Sequence, residues 1–417
     1  MSLIDRDRAV LWHPYTQMQT APAPIPIVRA ESVYLYTEDG RRILDGISSW
    51  WVNIHGHAHP RLNAALAHQA SQLEQVIFAG CTHPPAVELG ERLLHIAPPG
   101  LARVFYSDNG STAVEVALKM AIQFWSNSGE DRRVFAALEN AYHGDTFGAM
   151  AASDRSIFTR SFEPFLFQVE RFADLADLRQ LLRTRGREIA GVILEPILQG
   201  AGGMILWPPE FVAGARRLCD EFGTLLIADE VLTGFGRTGK MFACEHANVT
   251  PDLLCLSKAL TAGYLPLGAT IATEKIYSAF LSDDRAKTFF HGHSYTANPL
   301  ACAVALASLD LFEETPVLAK VARLESQLRA GLEPLRSLAH VTDVRVIGGM
   351  GAVELAANSP GYLHAMGPRL TAEFLKRGLL LRPLGNVVYF LPPYVITETE
   401  TAWALEQIAE VLRGASL

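Results

Sequence analysis

Short apolar segments, several of them ending in a polar residue, recur between residues 102 and 257 and constrain the fold most strongly. They read ARVFYSD, RRVFAAL, IAGVILEP, TLLIADEV and DLLCLS, and amphipathic helical stretches separate several of them. Strands that alternate with helices are typical of an α/β layer architecture, in which ligands bind beyond the carboxyl ends of the strands. We therefore predict an α/β sheet domain over this part of the chain.

The two ends of the chain predict a second, smaller domain. Residues 21–28 (APAPIPIV) are typical of an extended arm, and residues 33–45 (VYLYTEDGRRILD) predict a hairpin around a Glu-Asp-Gly turn. A helix is predicted over residues 301–314, and strand-like pieces such as VRVIGGMGAVEL follow it. We predict an N-terminal arm with part of the small domain at 1–50, a large domain at 51–305 and a C-terminal small α+β domain at 306–417.

Composition excludes several classes of protein. The 417 residues are 49% hydrophobic and 19% charged, and a formal net charge of -8 argues against nucleic acid or an anionic membrane as the main partner. The first ten residues carry charges where a signal peptide needs an apolar core, and Gly or Pro interrupts every long uncharged stretch. Five scattered cysteines favour free thiols in a reducing, cytoplasmic setting: Cys81, Cys219, Cys244, Cys255 and Cys302.

A single lysine, Lys258, stands in the otherwise uncharged run that follows Asp252. A buried ammonium is costly unless it is paired, although a lysine at a strand end more often extends its head to water. Asp229 closes the apolar run TLLIAD and could be a structural cap, a metal ligand or the partner of a cationic ligand. A lysine and a carboxylate at neighbouring strand ends are the groups that a pyridoxal phosphate site needs, for the Schiff base and for the protonated pyridine nitrogen.

Two loops supply further candidates for this site. Gly110 and Ser111 precede a predicted helix, whose free N–H groups would bind a phosphate, although such residues are more commonly ordinary N-caps. Tyr142 follows the segment RRVFAAL and could stack on a flat ring, whereas its neighbour His143 could equally be a satisfied loop histidine. The histidine clusters in NIHGHAHP and FHGHSYTANP lack a nearby carboxylate or cysteine at ligand spacing, so we predict no metal site.

The motifs around these residues identify a resemblance to a known family. Residues 229–246 (DEVLTGFGRTGKMFACEH) and 251–269 (PDLLCLSKALTAGYLPLGA) resemble the signature of class III pyridoxal-phosphate aminotransferases of fold type I. GSTAVEVALKMA, AYHGDTFGAM, LEPILQGAGGM and NPLACAVAL extend the resemblance over nearly the whole chain. The resemblance implies an α/β large domain with a mixed, mostly parallel sheet between helices, and a smaller α+β domain built from both chain ends.

Within that class the chain most closely resembles the enzymes of biotin biosynthesis that aminate 8-amino-7-oxononanoate, usually with S-adenosylmethionine as amino donor. The motifs that carry this likeness are WHPYTQM, GISSWWVNIHGHAHP, EPILQGAGGM and LRPLGNVVYFLPPY. The tandem Trp50-Trp51 together with HPYTQM is not usual in generic ω-aminotransferases. The resemblance thus implies a two-stage, ping-pong transamination.

The resemblance also implies roles for single residues. Lys258 forms the Schiff base and then moves the proton between the substrate Cα and the cofactor, while Asp229 pairs with the pyridinium nitrogen. Gly110 and Ser111 bind the phosphate, and Tyr142 stacks on the ring.

The same resemblance implies a substrate pocket. Arg382 would bind the carboxylate at the far end of the oxononanoate chain, which suits the forked guanidinium. The other residues implied for this pocket are Tyr15, Trp50, Trp51, Tyr389 and Arg237.

One loop departs from the family pattern. Many relatives read HGPTFM before the NPLACA helix, where the threonine reaches the phosphate of the partner subunit, whereas this chain reads HGHSYTANPLACA. Ser294 aligns with the threonine and keeps a hydroxyl, so we expect it to bind the cofactor phosphate in a homodimer with active sites at the interface, and we expect Gly292 of the same loop to bind substrate. His293 replaces the proline and leaves the donor open between S-adenosylmethionine and lysine, with Trp50 favouring the former.

Two alternatives remain at the level of sequence. The first is another class III activity, such as an ω-amino acid or GABA-type transaminase or an aminomutase, but nothing replaces Arg382 and the tryptophan pair in that role. The second is a catalytically silent protein that binds pyridoxal phosphate, against which the intact Lys258 and Asp229 argue.

Overall fold

The computed structural model describes residues 1–358 and 361–414. Its strands are β1 Ile27–Glu31, β2 Tyr34–Thr37, β3 Arg42–Asp45, β4 Leu101–Ser107, β5 Val134–Leu138, β6 Val169–Phe172, β7 Ile189–Leu194, β8 Leu198–Gln199, β9 Ile205–Leu206, β10 Leu225–Asp229, β11 Leu253–Leu256, β12 Gly268–Thr273, β13 Val341–Ile347, β14 Met350–Leu355, β15 Leu379–Leu380 and β16 Val387–Phe390.

The described residues also form thirteen α-helices. They are α1 Leu3–Val10, α2 Ser48–Trp51, α3 Pro60–Ala70, α4 Pro84–Ile96, α5 Gly110–Asn127, α6 Phe147–Ala152, α7 Leu175–Arg185, α8 Pro209–Phe222, α9 Glu274–Ser278, α10 Pro299–Glu314, α11 Val317–Leu332, α12 Met366–Lys376 and α13 Glu398–Gly414. Within the described residues, no helix combines the length and the apolar character needed to cross a bilayer.

A seven-stranded sheet forms the centre of the large domain, in the order β4-β12-β11-β10-β7-β5-β6. Only β12 runs antiparallel to its neighbours, so the predicted mixed, mostly parallel sheet is confirmed. Successive side chains point to opposite faces, and both faces are buried. Ile193 and Ile227 pack in the core that contains α5, whereas Val192 and Leu226 pack with α7 and α8.

The parallel pairing of β10 with β11 brings two strand ends together. Asp229 is paired with Cys255 across the two strands, and the chain leaves β11 two residues before Lys258. The carboxylate and the lysine therefore lie at the same edge of the sheet, as the alternation of strands and helices predicts.

Both chain ends contribute to smaller sheets outside the central one. The predicted hairpin is confirmed, because β2 and β3 are antiparallel, and β3 then pairs in parallel with β15 from the tail. A second sheet contains β13, β14 and β16.

The domain boundaries stay predictions, and one of them deserves revision. Residue 305 lies inside α10, which packs continuously in the core with α3 and α4. A cut at 305 would divide this packed helix. We therefore propose that the large domain ends with α10 at Glu314.

The turn that follows β3 has an unusual handedness. Ser48, Ser49, Trp50 and Trp51 have φ values of 50°, 46°, 71° and 74°, so α2 is a left-handed turn built without glycine. This conformation costs about 1–2 kcal/mol per residue. The Ser48 hydroxyl donates to the Leu391 carbonyl at 2.7 Å and the Ser49 hydroxyl to Asp45 Oδ2 at 2.7 Å. These bonds hold the tryptophan pair in place.

Two glycines join β13 to β14 and dock this hairpin on the loop that carries Arg237. Gly348 has φ +48°, and a Cβ added there would lie 2.4 Å from the Arg237 carbonyl oxygen and 2.5 Å from the Gly239 nitrogen. Those neighbours are backbone atoms, which cannot swing aside as a side chain can. The small domain thus meets the large one here by direct backbone packing.

We predict that Gly348→Ala destabilises the protein more than Gly129→Ala does. Gly129 also has positive φ (+82°), but nothing lies within 4 Å of an added Cβ, so it controls for the backbone strain alone. The clash at Gly348 should cost about 1–3 kcal/mol beyond that strain. Apparent thermal midpoints of both variants test this. Equal losses would mean that the hairpin moves away without cost.

Candidate active site

Lys258 lies beyond β11 in a strained backbone position, with φ 44°. Its Nζ atom is 4.6 Å from the centroid of the Trp51 ring. Burial lowers the pKa of its ammonium to about 8, against the opposing effects of the Asp229 and Glu195 carboxylates. The amine is therefore more easily deprotonated than a surface lysine, which suits a nucleophile or a base.

Asp229 is buried at the end of β10 and is held by two groups. Its Oδ1 accepts the backbone N–H of Val231 at 3.0 Å, and its Oδ2 lies 2.7 Å from Nδ1 of His143. The His143 backbone N–H donates in turn to Ser153 Oγ at 2.8 Å. His143 is thus more than a satisfied loop histidine, because it fixes the orientation of the acid on which the site depends. Its position in the loop after β5, at the same edge of the sheet as this acid, is the signal that the sequence offered.

Glu195 is a buried carboxylate for which the sequence predicted no role. It follows β7 and accepts the backbone N–H groups of Tyr142 at 3.1 Å and Gly200 at 2.9 Å. Burial raises the pKa of its carboxyl to about 7, while the nearby His143 lowers it. Glu195 therefore fixes the loop that carries Tyr142. The motif LEP at a strand end was the available signal.

The predicted phosphate loop is the N-terminus of the long helix α5. Asn109 caps the helix by accepting the N–H of Thr112 at 3.0 Å, and Gly110 and Ser111 form the first helical positions. N–H groups at these positions have no carbonyl partner inside a helix. A Cβ at Gly110 would lie 2.5 Å from Val231 Cγ1, so the close packing at this point requires glycine.

One cavity of about 660 Å³ connects these groups. Its lining includes Gly110, Ser111, Tyr142, His143, Asp229 and Lys258. An amine with a lowered pKa, a carboxylate, an aromatic ring and a helix N-terminus are the four groups that pyridoxal phosphate requires. The residues present therefore fit this cofactor.

Aromatic side chains extend from this cavity toward the surface. Tyr15 and Trp50 pack edge to face with ring centroids 5.4 Å apart, and the Tyr15 hydroxyl donates to Asp145 and lies 3.0 Å from that of Tyr142. Burial and the Asp145 carboxylate raise the pKa of Tyr15 to about 12. Trp51 is buried, whereas Trp50 is 38% exposed. Among these predicted aromatic residues, Trp51 contacts Lys258, whereas Tyr15 contacts Trp50 and Tyr142.

The two predicted arginines lie at different depths. The Arg382 guanidinium lies over the Trp50 ring at 4.6 Å, and its Nη2 donates to the Tyr362 hydroxyl at 3.0 Å. Arg237 is fully buried, and burial lowers the pKa of its guanidinium. Its Nη1 donates at 3.4 Å to the carbonyls of Gly349 and Pro392, while Nη2 has no partner among the described residues.

Seven predicted residues do not line this cavity within the chain: Tyr15, Trp50, Arg237, Gly292, Ser294, Arg382 and Tyr389. Tyr389 is buried and contacts the site through Trp51, whose Nε1 donates to the tyrosine hydroxyl at 3.1 Å. Ser294 and Gly292 lie in an exposed loop, where Gln75 donates to the Ser294 carbonyl. Their predicted roles depend on a second subunit.

The two histidine clusters have other partners. His55 lies 3.1 Å from Ser308 Oγ, His57 lies 3.0 Å from Asp45 Oδ2, and His59 caps α3. His291 lies 3.0 Å from Lys119 Nζ. In the described part of the chain, no three His, Cys, Asp or Glu side chains form a metal-ligand cluster.

Comparison with known proteins gives the family of this site. The model of the class-III aminotransferase family matches residues 15–412, and the chain therefore belongs to that family. It is an aminotransferase of the fold type I architecture and uses pyridoxal phosphate, as the solved relatives in PLP-bound and PMP-bound forms do.

Several relatives cover almost the whole chain. The chain is 49% identical to the adenosylmethionine-8-amino-7-oxononanoate aminotransferase of Synechococcus elongatus, over 96% of this chain and 98% of the relative. The enzyme of the same name from Geobacter sulfurreducens is 45% identical, over 96% and 94% of the two chains. The crystal structure of the Methanocaldococcus jannaschii enzyme of that name superposes with a TM-score of 0.97 at 37% identity, covering 100% and 99%.

We predict that Lys258→Met stabilises the cofactor-free enzyme near neutral pH. Below pH 8 the folded wild type keeps an ammonium that burial disfavours, which methionine removes. Between about pH 8 and the ordinary value of 10.5 the unfolded chain binds more protons than the folded one, so wild-type stability rises with pH and the difference shrinks. Urea midpoints across this range test the prediction, with Lys240→Met at an exposed position as control. A stability difference between Lys258→Met and the wild type that grows with pH would contradict the prediction.

Proposed function

We propose that this aminotransferase converts 8-amino-7-oxononanoate to 7,8-diaminononanoate in biotin biosynthesis, with S-adenosylmethionine as amino donor. The observation that carries the proposal is the near-complete match to relatives named for this reaction, at 49% and 45% identity. The contacts of Lys258 with Trp51 and of Arg382 with the neighbouring Trp50 support it.

The roles of the chain's own residues follow from their positions. Pyridoxal phosphate, when bound, supplies an electron sink and carries the amino group from donor to acceptor. Asp229, oriented by His143, would hold the proton on the ring nitrogen. The lowered pKa of Lys258 would let its amine accept a proton from the substrate Cα and donate it to the cofactor.

Substrate binding would be divided between a charged and an aromatic part. The Arg382 guanidinium would bind the carboxylate of the keto acid, since its forked N–H groups match a carboxylate. Trp50, Trp51 and Tyr15 would exclude water along the aliphatic chain. Trp50 and Tyr15 also offer flat surfaces to an adenosine ring, which favours S-adenosylmethionine over lysine as donor.

A second candidate has structural support. Amine and ω-transaminases from Pseudomonas superpose with TM-scores of 0.91 and 0.94, at 35% and 28% identity. Their identity is lower than that of the relatives named for the biotin reaction. We therefore place an ω-transaminase activity second and include its substrates in the test.

We expect the holoenzyme to form diaminononanoate from 8-amino-7-oxononanoate, because the oxononanoate carboxylate matches Arg382. S-adenosylmethionine, lysine and a simple ω-amine are compared as donors, with pyruvate as an alternative acceptor, and the product is identified by mass. Lys258→Ala should lower turnover at least 1000-fold, about the effect of losing a proton-transfer group and a nucleophile together. Wild-type turnover of pyruvate but not of oxononanoate would favour the ω-transaminase.

We further propose that the enzyme is a cytoplasmic homodimer. All five cysteines are free, as a reducing compartment requires. Large apolar side chains project from the protomer, including Phe165 and Phe290 at 76% exposure each and Tyr295 at 64%. Such exposure is typical of a surface that another chain covers. Ser294 lies in the same exposed loop as Phe290 and Tyr295, which agrees with a role in the partner's active site.

Mixed dimers test the role of Ser294. We expect Ser294→Trp and Lys258→Ala each to be inactive alone, since one obstructs the phosphate site and the other removes the amine. If Ser294 serves the partner subunit, a mixed dimer has one site with both lesions and one intact site, so about half of the wild-type activity per dimer returns. Sedimentation should give twice the 45.6 kDa chain mass. A mixed dimer without activity would place Ser294 in its own protomer's site.

A further inference from the structure

Five side chains form a closed ring of contacts, which we call the collar and which meets the active-site cavity where Tyr15 contacts Tyr142. They are Trp50, Tyr15, Phe158, Tyr362 and Arg382. The ring centroids of Trp50 and Tyr15 are 5.4 Å apart, those of Tyr15 and Phe158 are 5.7 Å apart, and those of Phe158 and Tyr362 are 4.8 Å apart.

Arg382 closes the collar through two different contacts. Its guanidinium lies 4.6 Å above the Trp50 ring, and its Nη2 donates to the Tyr362 hydroxyl at 3.0 Å. The Trp50 ring contacts one side of the guanidinium, and the hydrogen bond to Tyr362 holds its Nη2 atom. Tyr362 therefore helps to orient the N–H groups that Arg382 presents to a ligand.

The backbone around Tyr362 is held against the loop that follows Arg382. Gly385 has φ +62°, and a Cβ added there would lie 2.0 Å from the Gly361 carbonyl oxygen and 3.2 Å from the Tyr362 nitrogen. No other residue type allows this close approach. The segment at 361–362 and the Arg382 loop thus form one packed unit, which gives Tyr362 a defined place at the site.

Tyr362 also borders the second large cavity, of about 810 Å³, together with Tyr142, Asp145 and Phe158. Because the Tyr362 oxygen accepts a hydrogen bond from Arg382 Nη2, its own O–H group is left to donate a hydrogen bond to a ligand. A carboxylate accepts several hydrogen bonds, and bonds to a charged group are the stronger ones. A carboxylate at Arg382 would therefore meet donors from both side chains.

We infer that Tyr362 is a specificity-determining residue that binds the carboxylate of the keto substrate jointly with Arg382 and positions that arginine. The inference rests on the proposed function for the identity of the substrate. Its test is an equilibrium binding measurement, whose outcome does not depend on turnover.

Nonanoate and nonan-1-ol are the probes, measured by calorimetry on the holoenzyme. Both have a nine-carbon chain, but nonanoate ends in a carboxylate and nonan-1-ol ends in a hydroxyl group. Tyr362→Phe keeps the ring against Phe158 and removes the hydroxyl, so nonanoate should bind about tenfold more weakly, as loss of a hydrogen bond to a charged group implies. Nonanol affinity should stay within about twofold of the wild type. In turnover, the KM for the keto acid should rise more than kcat falls.

Two further variants separate the inference from a general structural effect. Gly385→Ala retains Tyr362 but displaces its backbone. This variant should also lower the affinity for nonanoate while leaving the affinity for nonanol unchanged. Tyr277→Phe removes a hydroxyl from a ring that lies under the guanidinium of Arg103 at 4.5 Å, away from the collar, and should change neither affinity. Equal losses for nonanoate and nonanol, or unchanged nonanoate binding in Tyr362→Phe, would overturn the inference. Absence of diaminononanoate formation by the wild type would instead refute the proposed function.

Discussion

The parallel pairing of β10 with β11 is the interaction on which the site depends. Parallel neighbours end at the same edge of a sheet, so the acid that closes one strand and the lysine that follows the other share one cavity. Both groups are ionisable, and removing either from water is costly unless the surroundings compensate. His143 provides that compensation for the acid. For Lys258, the Asp229 and Glu195 carboxylates offset only part of the cost of burial, so the pKa of its ammonium stays below the ordinary value.

A second constraint connects the two domains through the active site. Asp229 closes β10 of the central sheet and Lys258 follows β11 of the same sheet, whereas Arg382 follows β15 in the small domain. Between them stands the left-handed turn that carries Trp50 and Trp51, held by Asp45 on one side and the Leu391 carbonyl on the other. The distance between the Lys258 amine and the Arg382 guanidinium is thus set by how the domains pack. Under the proposed function, selection of a substrate by its length would be a property of that packing.

Much of this arrangement was predictable from local sequence. Strand ends with polar residues predicted the positions of Lys258 and Asp229, and a glycine with a hydroxyl before a helix predicted the start of α5. The partners of these residues were less accessible, because they depend on the path of loops. His143 and Glu195 meet the other site residues only through folding of separate βα loops. The left-handed turn contains no glycine, so the sequence SSWW carried no signal for it.

The pairing of β3 with β15 has a consequence for the order in which the chain folds. Leu44 is bonded into the same small sheet as Leu379, about 335 residues further along the chain. During synthesis the hairpin at the N-terminus leaves the ribosome long before its partner strand exists. The large domain, whose strands lie closer in sequence, has time to fold first. The N-terminal hairpin must therefore wait with an unpaired edge, which is a hazard for aggregation until the last part of the chain arrives.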